Sequence, residues 1–110
     1  LLLYRADKNI VYEVPADTYP FGINNNLPIQ LPETILMKPG DIMAIMSDGI
    51  FDTFNDKKDH FGPERVKEIL VTYKRATCSE IIVRLRALLD EFTGDVPASD
   101  DQTVILIRKT

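Results

Sequence analysis

Ile42-Met43-Ala44-Ile45-Met46-Ser47-Asp48-Gly49 is a run of five apolar residues closed at once by a hydroxyl, a carboxylate and a glycine. Five successive apolar residues without polar alternation read as a strand covered on both faces. Gly49 permits a sharp exit and a close backbone approach. Asp48 then sits at a rigid strand end, where a carboxylate can be aimed. Taken alone, Asp-Gly is also a common turn dipeptide. A second stretch has the reverse arrangement: Asp100-Asp101-Gln102-Thr103 opens the apolar run Val104-Ile105-Leu106-Ile107. If the two strands pair antiparallel, the end of one lies beside the start of the other. Asp48 then meets Asp100 and Asp101 at one edge of a sheet. Close carboxylates repel and need a cation or a shared proton between them. A divalent metal site is expected, with Asp48, Asp100 and Asp101 as candidate ligands. Neighbouring residues of an extended chain point opposite ways, so one of Asp100 and Asp101 is aimed at a given ion. The alternative for that pair is a solvated Asx-type turn closing on Thr103.

Working outward from these corners, the first third of the chain reads as β structure. Residues 1–5 and 10–14 are short apolar or alternating runs around the turn Ala6-Asp7-Lys8-Asn9. Pro15, Pro20, Gly22 and Asn24-Asn25-Asn26 break the pattern into a loop. Residues 30–37 resume as a strand. Lys38-Pro39-Gly40-Asp41 carries Pro and Gly where a β-turn wants them. The run from Ile42 is then expected as the second arm of that hairpin.

The middle is helical. Gly62-Pro63 reads as an N-cap followed by Pro at the first helical position. Val66, Ile69, Leu70 and Tyr73 fall at i, i+3, i+4 and i+7. Thr77-Cys78-Ser79-Glu80 has the spacing of a capping box. Ile81, Ile82, Leu85, Leu88, Leu89 and Phe92 follow as a core face, and Gly94 as a stop. Residues 95–99 form a loop before the last strand. Strands, two helices and a strand, in that order, predict an α+β fold: a largely antiparallel β-sheet with two helices packed on one face.

Composition removes several function classes. The net charge is −4 and no Lys/Arg run exceeds two residues, so the basic face that nucleic acid requires is missing. The longest wholly apolar stretches are about five residues, against roughly 20 for a membrane span. One cysteine, Cys78, allows no internal disulfide and no Cys-based zinc site, and it fits a reducing, cytoplasmic setting. His60, the single histidine, sits in a polar turn and reads as a surface residue. Neither a Ser-His-Asp set nor a P-loop competes with the aspartates. Two hard divalent ions about 4 Å apart, on oxygen ligands, are suited to phosphoryl chemistry.

Four short motifs occur in order: Lys38-Pro39-Gly40-Asp41, Ser47-Asp48-Gly49-Ile50-Phe51-Asp52, Phe61-Gly62-Pro63-Glu64-Arg65 and Asp100-Asp101-Gln102-Thr103. In this the chain resembles the metal-dependent protein serine/threonine phosphatases of the PPM type, and among them the bacterial SpoIIE/RsbU branch. The resemblance implies a four-layer α-β-β-α sandwich around a two-metal centre of Mn²⁺ or Mg²⁺. It implies that Asp48 and Asp100 are catalytic metal ligands, with Asp101 the lesser candidate. It implies a phosphorylated anti-sigma-factor antagonist as the protein substrate in bacterial partner switching, and a sensor domain upstream. The family's first metal motif, an aspartate before a Gly-rich turn, has no counterpart here. Residues 1–110 are therefore expected to be the C-terminal half of a catalytic domain, inactive alone and prone to self-association. A non-catalytic phosphatase-like module that docks a signalling partner is the competing expectation.

Overall fold

The structure is a computed structural model that describes residues 1–14, 35–97 and 100–110. Strands β1 (Leu2–Arg5), β2 (Ile10–Glu13), β3 (Ile42–Met46) and β4 (Val104–Arg108) form one sheet in the order β2-β1-β3-β4. Every pairing is antiparallel. Between β3 and β4 the chain makes a short helix α1 (Asp48–Phe51) and two longer ones, α2 (Gly62–Thr72) and α3 (Cys78–Thr93). The α+β fold expected from the order of elements is therefore present.

Alternation along the strands decides which residues meet the helices. Leu2 and Tyr4 of β1 and Ile42 and Ala44 of β3 form one buried cluster with Val66, Ile69 and Leu70 of α2 and Ile81, Leu85 and Leu89 of α3. Val104 and Leu106 pack against its border. On the opposite face Ile45, Ile105 and Ile107 are 43%, 52% and 44% exposed. Ile45 stands directly across from Ile105. The expectation that β3 is covered on both faces thus fails for the described residues: one face carries the helices and the other presents isoleucine.

The expected hairpin also changes. Residues 35–37 are not strand, and residues 30–34 lie outside the described ones, as does the expected loop over 15–26. β3 is flanked instead by β1 and β4, long-range partners that the local turn does not select. The turn itself is as read: the Asp41 amide donates to the Lys38 carbonyl at 3.0 Å, and Gly40 has φ 91°, the left-handed value a type II turn requires.

The helices follow their local signals. The Thr77 hydroxyl accepts from the Glu80 amide at 3.2 Å, and Gly94 closes α3 at φ 57°. Helix α2 begins at Gly62, one residue earlier than the cap reading, with Pro63 in its first turn. Ile82, expected in the core, is 37% exposed. It lies one position, or 100°, round the helix from buried Ile81. Lys67 ties α2 to β2 through Glu13 at 2.8 Å. Hydrogen bonds to Glu13 and then Glu64 push the Lys67 pKa up.

Asp41 locks the sheet end remote from Asp48. It is 1% exposed and accepts from the Lys38 amide (2.9 Å), the Ala6 amide (2.9 Å) and Arg5 Nη1 (2.8 Å). Burial alone would push its pKa up. The two amides and the guanidinium outweigh that and hold it below the ordinary 3.8. Its stabilising contribution is present above that value and is lost as pH falls through the lower, folded-state pKa. Asp41→Asn is expected to cost about 3 kcal/mol at neutral pH. In urea unfolding, the gap between variant and wild type should stay constant from pH 7 to 5 and shrink below about pH 4. The open isoleucine face leads to a further expectation, that residues 1–110 expressed alone self-associate. A monodisperse monomer in sedimentation velocity would contradict it.

Candidate metal centre

Strand register brings the two acidic corners together. Met46, the last residue of β3, pairs with Val104, the first of β4. Pairing continues past the strands: the Ser47 amide donates to the Thr103 carbonyl at 3.0 Å, and the Ser47 hydroxyl accepts from the Thr103 amide at 2.9 Å. That hydroxyl also lies 3.4 Å from the Asp101 carbonyl, to which it donates. Ser47 therefore closes the strand ends with its backbone and its side chain at once.

Gly49 sets how close the corners come. A Cβ at this position would fall inside the van der Waals envelope of the Asp101 carbonyl oxygen, 3.0 Å from its carbon and 3.6 Å from Asp100 Cβ. Gly49 is thus required by proximity, and its φ is not in the left-handed region. Helix α1, which sequence reading took for a simple sharp exit, begins at Asp48 and stacks its first turn on the Asp100-Asp101 segment. A helix of four residues has no periodicity by which to recognise it.

All three candidate ligands are exposed. Asp100 Oδ1 accepts from the Asp101 amide at 2.8 Å. The expected Asx-type turn on Thr103 does not form: Asp100 reaches only the adjacent Asp101 amide, and Ser47 takes the Thr103 amide. Among the described residues no three His, Cys, Asp or Glu side chains are grouped closely enough to hold a metal ion. What the two corners offer is an open, all-oxygen, anionic donor set, which suits Mg²⁺ or Mn²⁺ and does not suit softer ions. Asp48 with Asp100 or Asp101 fits part of such a coordination shell.

Two residues not singled out from sequence also belong to this corner. Thr53, 4% exposed, donates its hydroxyl to the Gly49 carbonyl at 2.7 Å. It accepts from Gln102 Nε2, also at 2.7 Å. Phe54 and His60 form an isolated antiparallel bridge, and Asn55 Oδ1 accepts from the Lys57 and Asp59 amides at 3.0 and 2.9 Å. His60 is exposed, as read, with a ring nitrogen 3.1 Å from the Asp52 carbonyl. Cys78 is a free, half-buried thiol at the start of α3. A groove of about 530 Å³ between α2 and α3, where Arg65 stacks 4.6 Å from the Phe92 ring centre, touches none of the three aspartates.

The model of a family described as Stage II sporulation protein E (SpoIIE) matches residues 1–110. The chain belongs to the SpoIIE family. Two solved structures resemble it. The SiaA-PP2C domain of Pseudomonas aeruginosa is 25% identical with a TM-score of 0.78, over 99% of this chain and 43% of that one. The phosphatase domain of the cell fate determinant SpoIIE from Bacillus subtilis, presoaked with Mn, is 26% identical with a TM-score of 0.65, over 97% and 44%. No curated protein matches. The chain thus spans less than half the length of either solved domain, and its sheet and helices are part of a PP2C-type phosphatase fold. Among the described residues no helix is long and apolar enough to cross a membrane.

Gly49→Ala should separate the corners, because the obstacle is a backbone carbonyl that cannot swing aside like a side chain. We expect a loss of about 2–4 kcal/mol in chemical unfolding, within the range for overpacking and its distortions. An alanine variant of native stability would show that the Asp101 carbonyl is free to move.

Proposed function

We propose that the domain containing this chain is a metal-dependent phosphoprotein phosphatase acting on phosphoserine or phosphothreonine. The observation that carries the reading is the β3–β4 register, which puts Asp48 beside the Asp100-Asp101 segment, with Gly49 allowing near-contact. Membership of the SpoIIE family and likeness to two phosphatase-type domains support it.

In this reading Asp48 and Asp100 hold divalent cations, Mn²⁺ or Mg²⁺, at the sheet edge, with Asp101 as the lesser ligand. Bound there, a cation pair supplies Lewis acidity at the phosphoryl group and a nucleophilic water for in-line attack. The protein side chains orient that centre and form no covalent phosphoenzyme. The aspartate of the family's first metal motif has no counterpart in residues 1–110, so in this reading these residues alone bind metal weakly and are inactive. The substrate proposed is a phosphorylated anti-sigma-factor antagonist in bacterial, cytoplasmic partner switching, under control of a sensor domain in the same protein.

The test is Mn²⁺-dependent phosphate release from a phosphoserine protein by the full-length protein. Asp48→Asn and Asp100→Asn should each lower turnover at least a hundredfold while leaving the unfolding midpoint close to wild type. Both side chains are exposed, so their neutralisation has little folding cost. Asp56→Asn, an exposed acid of the 54–60 loop, should leave turnover unchanged. Undiminished turnover in Asp48→Asn would remove that residue from the mechanism. A wild-type protein that binds its partner but releases no phosphate would favour the non-catalytic module.

A further inference from the structure

Thr53 joins α1, four residues back, and the entry to α2, eight residues on, to the approach to β4, 49 positions away. Its hydroxyl donates to the Gly49 carbonyl in α1, the element that begins with Asp48. The same hydroxyl accepts from Gln102, two residues beyond Asp100. Its own carbonyl accepts from the Phe61 amide at 2.7 Å, at the entry to α2, where Phe61 is buried in the helix-covered core. The side chain is almost wholly enclosed, so neither hydroxyl bond has water as an easy substitute.

We propose that Thr53 is a positioning residue for the aspartate centre: its hydroxyl, with Gln102, holds the Asp48 and Asp100 segments at the separation that metal capture needs. The proposal rests on the phosphatase reading for its function, but the geometry stands independently of it. Ser47 already fastens the strand ends. Beyond that fastening, Asp48 rides on α1 and Asp100 on the approach to β4, and neither carboxylate is anchored by its own burial. Thr53 spans the two segments on the far side of Gly49. Its hydroxyl fixes α1 through the Gly49 carbonyl and fixes the Asp100-Asp101 approach through Gln102. The Phe61 bond refers both to the helical layer. Outer groups that orient metal ligands commonly govern affinity by tenfold or more without touching the ion.

The experiment compares Thr53→Val, close in volume but without the hydroxyl, with Thr53→Ser, which keeps it. Both are made in the full-length protein. Mn²⁺ affinity is read by calorimetry and amide exchange by mass spectrometry or NMR. Thr53→Val is expected to weaken Mn²⁺ binding at least tenfold. It should also speed exchange at the Ser47 and Thr103 amides while Met43 and Ile45 in mid-strand stay protected. Thr53→Ser should stay near wild type on both measures. Gln102→Met, at an exposed residue where folding is not at risk, should shift both readouts in the same direction by several-fold. The double variant should be little worse than Thr53→Val alone, because both act through one hydrogen-bonded unit.

Native Mn²⁺ affinity in Thr53→Val would overturn the proposal. Equal weakening in Thr53→Val and Thr53→Ser would do so too, because keeping the hydroxyl would then bring no advantage. Loss of exchange protection throughout the sheet would reduce Thr53 to a general stabilising role. If the wild-type protein binds no Mn²⁺, the phosphatase reading fails, and the exchange comparison alone decides whether Thr53 holds the corner.

Discussion

The antiparallel register of β3 on β4 is the constraint on which the rest depends. With Met46 opposite Val104, the residues just beyond the strands, Ser47 and Thr103, are forced to face each other. Side chains alternate with a period of two, so a slip of one residue would turn Ile42 and Ala44 out of the core and Ile45 into it. The same slip would misalign Ser47 with Thr103 and carry Asp48 away from Asp100. Core burial and site geometry are therefore set by one pairing. This is a physical reason for an aspartate centre to sit at a strand end, where hydrophobic packing enforces the alignment.

The two ends of the sheet use carboxylates in opposite ways. At one end Asp41 is buried, and the amides and guanidinium around it satisfy its charge, which makes it a structural lock. At the other end Asp48, Asp100 and Asp101 are exposed, and their backbone is held by neighbours while their carboxyl oxygens remain largely open. Acid content alone does not separate these roles. Position relative to nearby donors does, because a buried carboxylate must be neutralised by hydrogen bonds, whereas an exposed one is free to take a ligand. The isoleucine face of the sheet belongs to the same picture: it is an apolar surface of the kind that a second layer covers.

Much of this was legible from residue order. The cap at Thr77, the stop at Gly94 and the Pro39-Gly40 turn were readable because each depends on residues within four positions of one another. The meeting of the segments that carry Asp48 and Asp100 was readable because both lie at the ends of apolar runs. Other features were not legible. Ile82 has the composition of a core residue, and only the helix rotation set by Ile81 and Leu85 turns it outward. The pairing of β3 with β1 in place of residues 30–37 is a choice among strands, and turn signals carry no information about it.

The sequence by itself determined the α+β class, the boundaries of α2 and α3 to within a residue and the identity of the acidic corners, since these rest on short-range periodicity and on strand ends. Tertiary structure alone decided that Gly49 must lack a side chain, that Ser47 rather than an aspartate holds Thr103, and that Thr53 meets Gln102 across 49 positions of chain. Each is a contact between segments brought together by packing. A local pattern cannot encode such a contact, because no residue in either segment is unusual until the other arrives beside it.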